Sequence, residues 1–313
     1  MSDSLLRERE DPKSELCPRE FLDDLAVRAE RTLDIFHKWG YAPTADALAK
    51  GLLGGGVTCD ALLASISERD EFQVRDGHVY LKGKDELVEK SKLRVASNRH
   101  LNGEAMSIAE EFSLELLRFC PLVDCVAVSG SVASGGYSSG DDIDFDLVVR
   151  DGAKYLVYAM GLAVGARVAV RHRARYGLRK LICLNAIWTR SQTAPFVRRD
   201  EGLAFELLHC RPLFGSAHFQ EMVERNKWVL SFFPQVAKAS TDIGSIPEPN
   251  RMGRLILRIH RHPRLLSLVE TAARLASHAI YSLFHWVRRS DPEATARFEF
   301  LRQVKYPYEF FQD

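Results

Sequence analysis

The stretch that decides the fold is Val126–Val149, VAVSGSVASGGYSSGDDIDFDLVV. An apolar strand pattern runs into Gly130-Ser131, a loop of small residues follows, and a second strand pattern begins at Asp142. Side chains on a strand alternate between faces, so Asp142, Asp144 and Asp146 project from one face while Ile143, Phe145 and Leu147 enter a core. Three like charges on one face repel and stabilise nothing by themselves. A divalent cation removes the conflict, and hard oxygen ligands suit Mg²⁺ or Mn²⁺. The loop Gly130–Gly140 holds four glycines and four serines, and backbone N–H groups in such a loop can meet a phosphate. A phosphate cradle followed by metal-binding carboxylates is a minimal kit for phosphoryl transfer. It is not a Walker loop, because no Gly-Lys-Ser/Thr follows the glycines.

Taken singly, each residue has a plainer role. Gly130 can end a strand, Ser131 can cap a helix, and Asp142 can close a loop. Asp144, between Ile143 and Phe145 in mid-strand, is harder to explain that way. Asp146 lies about 6.6 Å beyond Asp144 at the rise of a strand, and suits a neighbouring Arg or Lys as well as a metal.

Upstream, residues 85–119 are helical in pattern with a break near Asn98–Gly103. The second part places Ala105, Ile108, Phe112, Leu116 and Phe119 on one face, and Pro121 ends it. Before it, a helix is predicted from about Phe21 to Trp39, stopped by Gly40. Thr44 and Thr58 read as N-caps of two short helices. FQVRDGHVYLKG then sets Asp76-Gly77 between alternating apolar residues, a strong hairpin signal. Three helices and a hairpin is the order of a winged helix. Residues 41–90 carry nine acids against six bases, and a DNA reader needs cations. A structural or protein-docking wing therefore ranks ahead of a DNA-reading one.

The constellation resembles the DNA polymerase β-type nucleotidyltransferase superfamily, whose signature is a Gly-Ser pair, a short loop and Asp-x-Asp on a strand. The interval from Ser131 to Asp142 is 11 positions, as in the minimal members. The resemblance implies that Gly130 and Ser131 hold the phosphates of an incoming NTP and that Asp142 and Asp144 are catalytic and ligate two Mg²⁺ ions. The superfamily usually supplies a third carboxylate from a later strand. Here the strand pattern Lys180–Thr189 carries Asn185 at that place. Asp146 substitutes for it, or the metal alone activates the acceptor, or turnover is lost. A narrower resemblance, to prokaryotic predicted nucleotidyltransferases with a winged-helix-like N-terminal region, rests on LICLNAIW (Leu181–Trp188), RPLFG (Arg211–Gly215) and Asn226-Lys-Trp228. It brings no acceptor with it.

Two basic stretches lie further on. Arg167–Lys180 can meet a triphosphate or form a solvated turn after a helix beginning near Ala153. Residues 251–290 hold eight arginines against Glu270 alone, beyond a Pro/Ser/Gly-rich linker, Pro234–Asn250. A helix over about Arg264–Arg289 sets Leu265, Val269, Ala272, Ala276, Ile280, Leu283 and Val287 in a stripe read as a core face. Its arginines suit a polyanion such as RNA.

The whole chain has 313 residues, 43 Lys+Arg against 42 Asp+Glu and 46% hydrophobic residues, which excludes a disordered chain. The neutral sum hides an acidic start, with ten acids against six bases over residues 1–35. That start has no apolar signal segment. The longest apolar run, Tyr155–Ala166, is short of a membrane span. Six scattered cysteines without CxxC spacing point to a reducing cytoplasm. The expectation is an α+β protein: a winged-helix-like domain over 1–97, a nucleotidyltransferase core over 98–233 with a mixed sheet flanked by helices, and a linker with a basic helical region over 234–313. Its partners would be an NTP and an unidentified acceptor (small molecule, protein or RNA), with no membrane and with oligomerisation left open. Nucleotide holding without turnover, and a winged-helix regulator, are the rival functions.

Overall fold

The computed structural model describes residues 24–138, 140–177, 181–237 and 242–287. The chain is α+β and divides into two compact units. One draws on Met1–Val88, Val197–Leu208 and Lys227–Val236, the other on the remainder.

The first unit opens with α1 (Leu25–Lys38), capped by the Asp24 carboxylate, which accepts from the N–H groups of Ala26 and Val27. The predicted start at Phe21 lies outside the described residues. Gly40, at φ +83°, takes the left-handed conformation that ends the turn after α1. The Thr44 and Thr58 hydroxyls cap α2 (Ala45–Lys50) and α3 (Cys59–Ile66) by accepting from the N–H groups of Ala47 and Ala61. β1 (Phe72–Arg75) and β2 (His78–Leu81) pair antiparallel, Val74 opposite Val79. Asp76 and Gly77, at φ +53° and +77°, form the tight turn. Segments from far along the chain complete this core. Phe205 packs edge-on against Phe36, Trp39 and Phe233 at 4.8–5.6 Å between ring centroids.

The 35-residue α4 (Asp85–Phe119) follows, and it is continuous. The break expected near Asn98–Gly103 is absent. A single glycine costs a helix only about 1 kcal/mol, and the burial of Ala105, Ile108, Phe112 and Leu116 sustains the helix beyond it. The second unit is then built on β3 (Val123–Val128), the short α5 (Gly130–Ala133), β4 (Ile143–Val149), α6 (Lys154–Arg171), the one-turn α7 (Arg173–Tyr176) and β5 (Ile182–Thr189). Further along the chain, β6 (Arg211–Phe214), α9 (Ser216–Arg225), α11 (Arg251–His260) and α12 (Pro263–Val287) belong to this unit, while α10 (Lys227–Phe232) and all but the last residue of α8 (Glu201–His209) belong to the first.

The sheet order is β5-β4-β3-β6, mixed: β4 runs parallel to β5, and β3 is antiparallel to both β4 and β6. One face is covered by helices. Phe112 of α4 packs on Phe145 at 4.5 Å between ring centroids. Gly161 and Gly165 let α6 press on Leu184 and Ile182, because a side chain at Gly161 would stand within 2.7 Å of Leu184 Cδ1. Buried residues along α4, β3, β4 and α6 form one continuous hydrophobic core.

The quoted motifs have structural explanations. Gly215, at φ +75°, closes β6, and a Cβ there would overlap the carbonyl oxygen of Asp124. Asn226 is fully buried and satisfied: its Oδ1 accepts from Phe196 N, and its Nδ2 donates to the carbonyls of Thr193 and Met222.

The expected core stripe of α12 is corrected. The buried line runs through Leu266 and Ser277, with Val269, Glu270 and Ala273 half-buried, while Leu265, Ala272 and Ala276 are exposed. The apolar arc of α12 is wider than the face it buries, so its centre does not mark the contact. The side chains of Ile280, Leu283 and Val287 lie outside the described residues. No described helix is long and apolar enough to cross a membrane.

Candidate functional site

β3 ends at Val128, and the backbone folds back through α5 toward β4, where Ser129 N–H donates to the carbonyl of Asp144 at 3.0 Å. The turn brings Gly130 against the Asp144 carboxylate. Gly130 sits at φ +61°, and a Cβ there would overlap Asp144 Oδ2 while lying 3.3 Å from Cγ. Two independent constraints thus demand glycine: a left-handed backbone and the closeness of a carboxylate. The resemblance implies a phosphate contact at Gly130, and its surroundings give it a steric role.

The loop is partly closed on itself. The N–H groups of Ser134, Gly135 and Gly136 donate to the carbonyls of Gly130, Val132 and Ser131, so they do not stand ready for a phosphate. The first N–H groups of α5, including that of Ser131, have no partner within the helix by helix geometry. Buried Val132 and Tyr137 pin the loop. Asp141 accepts from Ser138 N–H at 3.0 Å and returns its own N–H to Ser138, which makes it the loop-closing acid of the Asp141-Asp142 pair.

The three aspartates of β4 do not share one environment. Asp142 and Asp144 are half-buried at the start of the strand. Their carboxylate oxygens and the Cys183 Sγ all lie within 4.8 Å of one another. Cys183 is paired with Asp144 in the parallel β4–β5 register. Asp146 is only 3% exposed. Its Oδ1 accepts from Asn185 Nδ2 at 2.9 Å and its Oδ2 from the Cys210 thiol at 3.0 Å. Burial pushes its carboxyl above the usual carboxylate range, against the opposing pull of the hydrogen bonds from Cys210 and Asn185. The β4–β5 register slips between Phe145 and Asp146, so that Asp146 pairs with Ala186 and Asn185 is the extra residue beside it.

The two candidates for a third ligand, Asp146 and Asn185, are thus bonded to each other. The donor brought beside Asp142 and Asp144 is Cys183, which the sequence reading missed. Its signal was period two: Cys183 stands two residues before Asn185 on the same strand pattern. As donors, two carboxylates and a thiol form a set that can hold a divalent cation.

The basic stretch at the end of α6 and just beyond it meets carboxylates of α4. Arg171 pairs with Glu111 and with Glu115 at 2.7 Å, His172 with Glu111 at 2.8 Å, Arg175 with Glu104 at 2.6 Å and Arg167 with Glu115 at 3.6 Å. Arg179 and Lys180 lie outside the described residues. In the C-terminal region Arg251, Arg254, Arg258, Arg261 and Arg264 are exposed, while Arg288 and Arg289 fall outside the described residues. Comparison with protein-family models, curated proteins and solved structures yields no match, so the chemistry of the site stands on its own geometry.

Proposed function

We propose that this chain is a nucleotidyltransferase of the polymerase β type, moving an NMP from an NTP to a hydroxyl of an acceptor. The observation that carries the reading is the junction of Gly130 with Asp144: a left-handed glycine, required by the carboxylate beside it, joins the Gly-Ser turn to the Asp-x-Asp strand.

Asp142 and Asp144 would hold divalent cations, and their half-exposed position leaves room for phosphate oxygens to complete the coordination. When bound, such ions neutralise phosphate charge and lower the pKa of the attacking hydroxyl. Gly130 and Ser131 would orient the triphosphate through the backbone of the first turn of α5. The acceptor oxygen forms a bond to the α-phosphorus, the α–β anhydride bond breaks, pyrophosphate leaves and the hydroxyl proton passes to solvent. Asp146, buried further along the strand, would hold Asn185 and Cys210 in place through its two hydrogen bonds. The exposed arginines of α11 suit an anionic acceptor, RNA among them.

The test is incubation of the full chain with Mg²⁺ or Mn²⁺, each α-labelled NTP and a cell extract as acceptor source. Label transfer that disappears in Asp142→Ala/Asp144→Ala supports the reading. No transfer, or transfer indifferent to both substitutions, overturns it. Saturable nucleotide binding without transfer would favour the rival module that holds nucleotide without turnover.

A further inference from the structure

We propose that Cys183 is the third protein ligand of the metal centre and tunes it toward thiophilic divalent ions such as Co²⁺ or Zn²⁺ ahead of Mg²⁺. This rests on the reading of Asp142 and Asp144 as metal ligands, and goes beyond it by naming the donor that sets ion preference.

Strand geometry places the sulfur. Ile182 and Leu184 turn onto α6, where Gly165 and Gly161 receive them, so Cys183 between them faces the aspartates. The parallel register sets it beside Asp144. Donors at about 2.1–2.3 Å around one tetrahedral ion stand about 3.6 Å apart. Asp142, Asp144 and Cys183, whose ligand atoms all lie within 4.8 Å of one another, would close by at most about 1.2 Å to reach that spacing.

The neighbouring donors bond to one another. Asn185 and Asp146 satisfy each other, and Cys210 holds the second oxygen of Asp146. Cys183 is 8% exposed, beside the half-buried pair. Gly130 lies against Asp144, and any larger residue there would displace its carboxylate. The donor chemistry then decides the ion. Mg²⁺ demands oxygen in near-octahedral geometry, whereas thiolate favours softer ions. On binding, a metal–sulfur bond forms and the thiol proton passes to solvent, with no change of oxidation state.

The test is Co²⁺ titration of the full-length protein, read by the near-ultraviolet thiolate-to-Co²⁺ charge-transfer band. The band should appear in wild type, vanish in Cys183→Ser and persist in Cys210→Ser, with Co²⁺ affinity falling on the order of 100-fold in Cys183→Ser, at the upper end of what losing an outer-shell partner costs. Cys183→Asp guards against a folding artefact: it should lose the band and shift the Mg²⁺-to-Co²⁺ affinity ratio toward Mg²⁺ by at least about tenfold. Absence of the band in wild type, its survival in Cys183→Ser, or an unchanged ratio in Cys183→Asp overturns the proposal. Parallel Mn²⁺ titration by electron paramagnetic resonance separates the two layers. Binding that depends on Asp142 and Asp144 but not on Cys183 leaves the metal centre standing and removes only the sulfur ligand. Binding indifferent to all three removes both.

Discussion

Two halves of one strand face, two residues apart, have opposite fates. At the start of β4 the Asp144 carboxylate lies against a glycine backbone, with Asp142 and the Cys183 sulfur nearby. One pleat further on, Asp146 is sealed and bonded to Asn185 and Cys210. The first half gathers two carboxylates and a thiol within reach of one cation. The second half sets its carboxylate against two hydrogen-bond donors, Asn185 and Cys210. Neighbouring carboxylates on one strand face thus stand in different environments, one half-buried and the next sealed and hydrogen-bonded.

The strongest way to break this contrast is to remove one acid at a time. Asp144→Asn should reduce nucleotidyl transfer by at least about 100-fold, since even outer-shell partners of a metal cost 10–100-fold, as measured by initial rates of labelled product. Gly130→Ala comes next. Forcing a side chain into a left-handed backbone should destabilise the protein by about 1–3 kcal/mol, read by denaturant unfolding, and push Asp144 aside, weakening Mn²⁺ binding as well. Asp146→Ala should cost a similar 1–3 kcal/mol by stranding the Asn185 amide, yet leave Mn²⁺ affinity near the wild-type value. Asn185→Asp sharpens the contrast further. Two carboxylates would then face each other where one amide now donates, so stability should fall and no third metal ligand should be gained. Adding Asp146→Asn to that variant restores an acid–amide pair and should recover most of the lost stability. The smallest effect belongs to the basic stretch: Arg171→Ala removes half-exposed ion pairs and should cost no more than about 1 kcal/mol, with transfer unchanged.

What was legible in the sequence follows the range of the forces involved. The Thr44 and Thr58 caps and the Asp76-Gly77 hairpin are set by neighbours within a few residues, and the structure has them. The continuity of α4 was not legible, because its weak middle is carried by packing further along the helix. The face α12 buries was not legible either, since an apolar arc wider than its contact gives no sign of which edge is covered. At the site, Gly130, Asp142 and Asp144 belong to one local motif. Cys183 and Cys210 come to it from β5 and from the start of β6, through strand pairing that no local spacing records. Asn185 stood out as the odd residue of its strand, but its partner became visible only with the register slip that sets it beside Asp146.

The most direct measurement is Mn²⁺ binding, followed by electron paramagnetic resonance, in wild type, Asp144→Asn and Asp146→Asn. Asp144→Asn should abolish high-affinity binding while Asp146→Asn retains it. Loss in Asp146→Asn with binding preserved in Asp144→Asn would contradict this assignment, and would move the centre to the inner half of the strand.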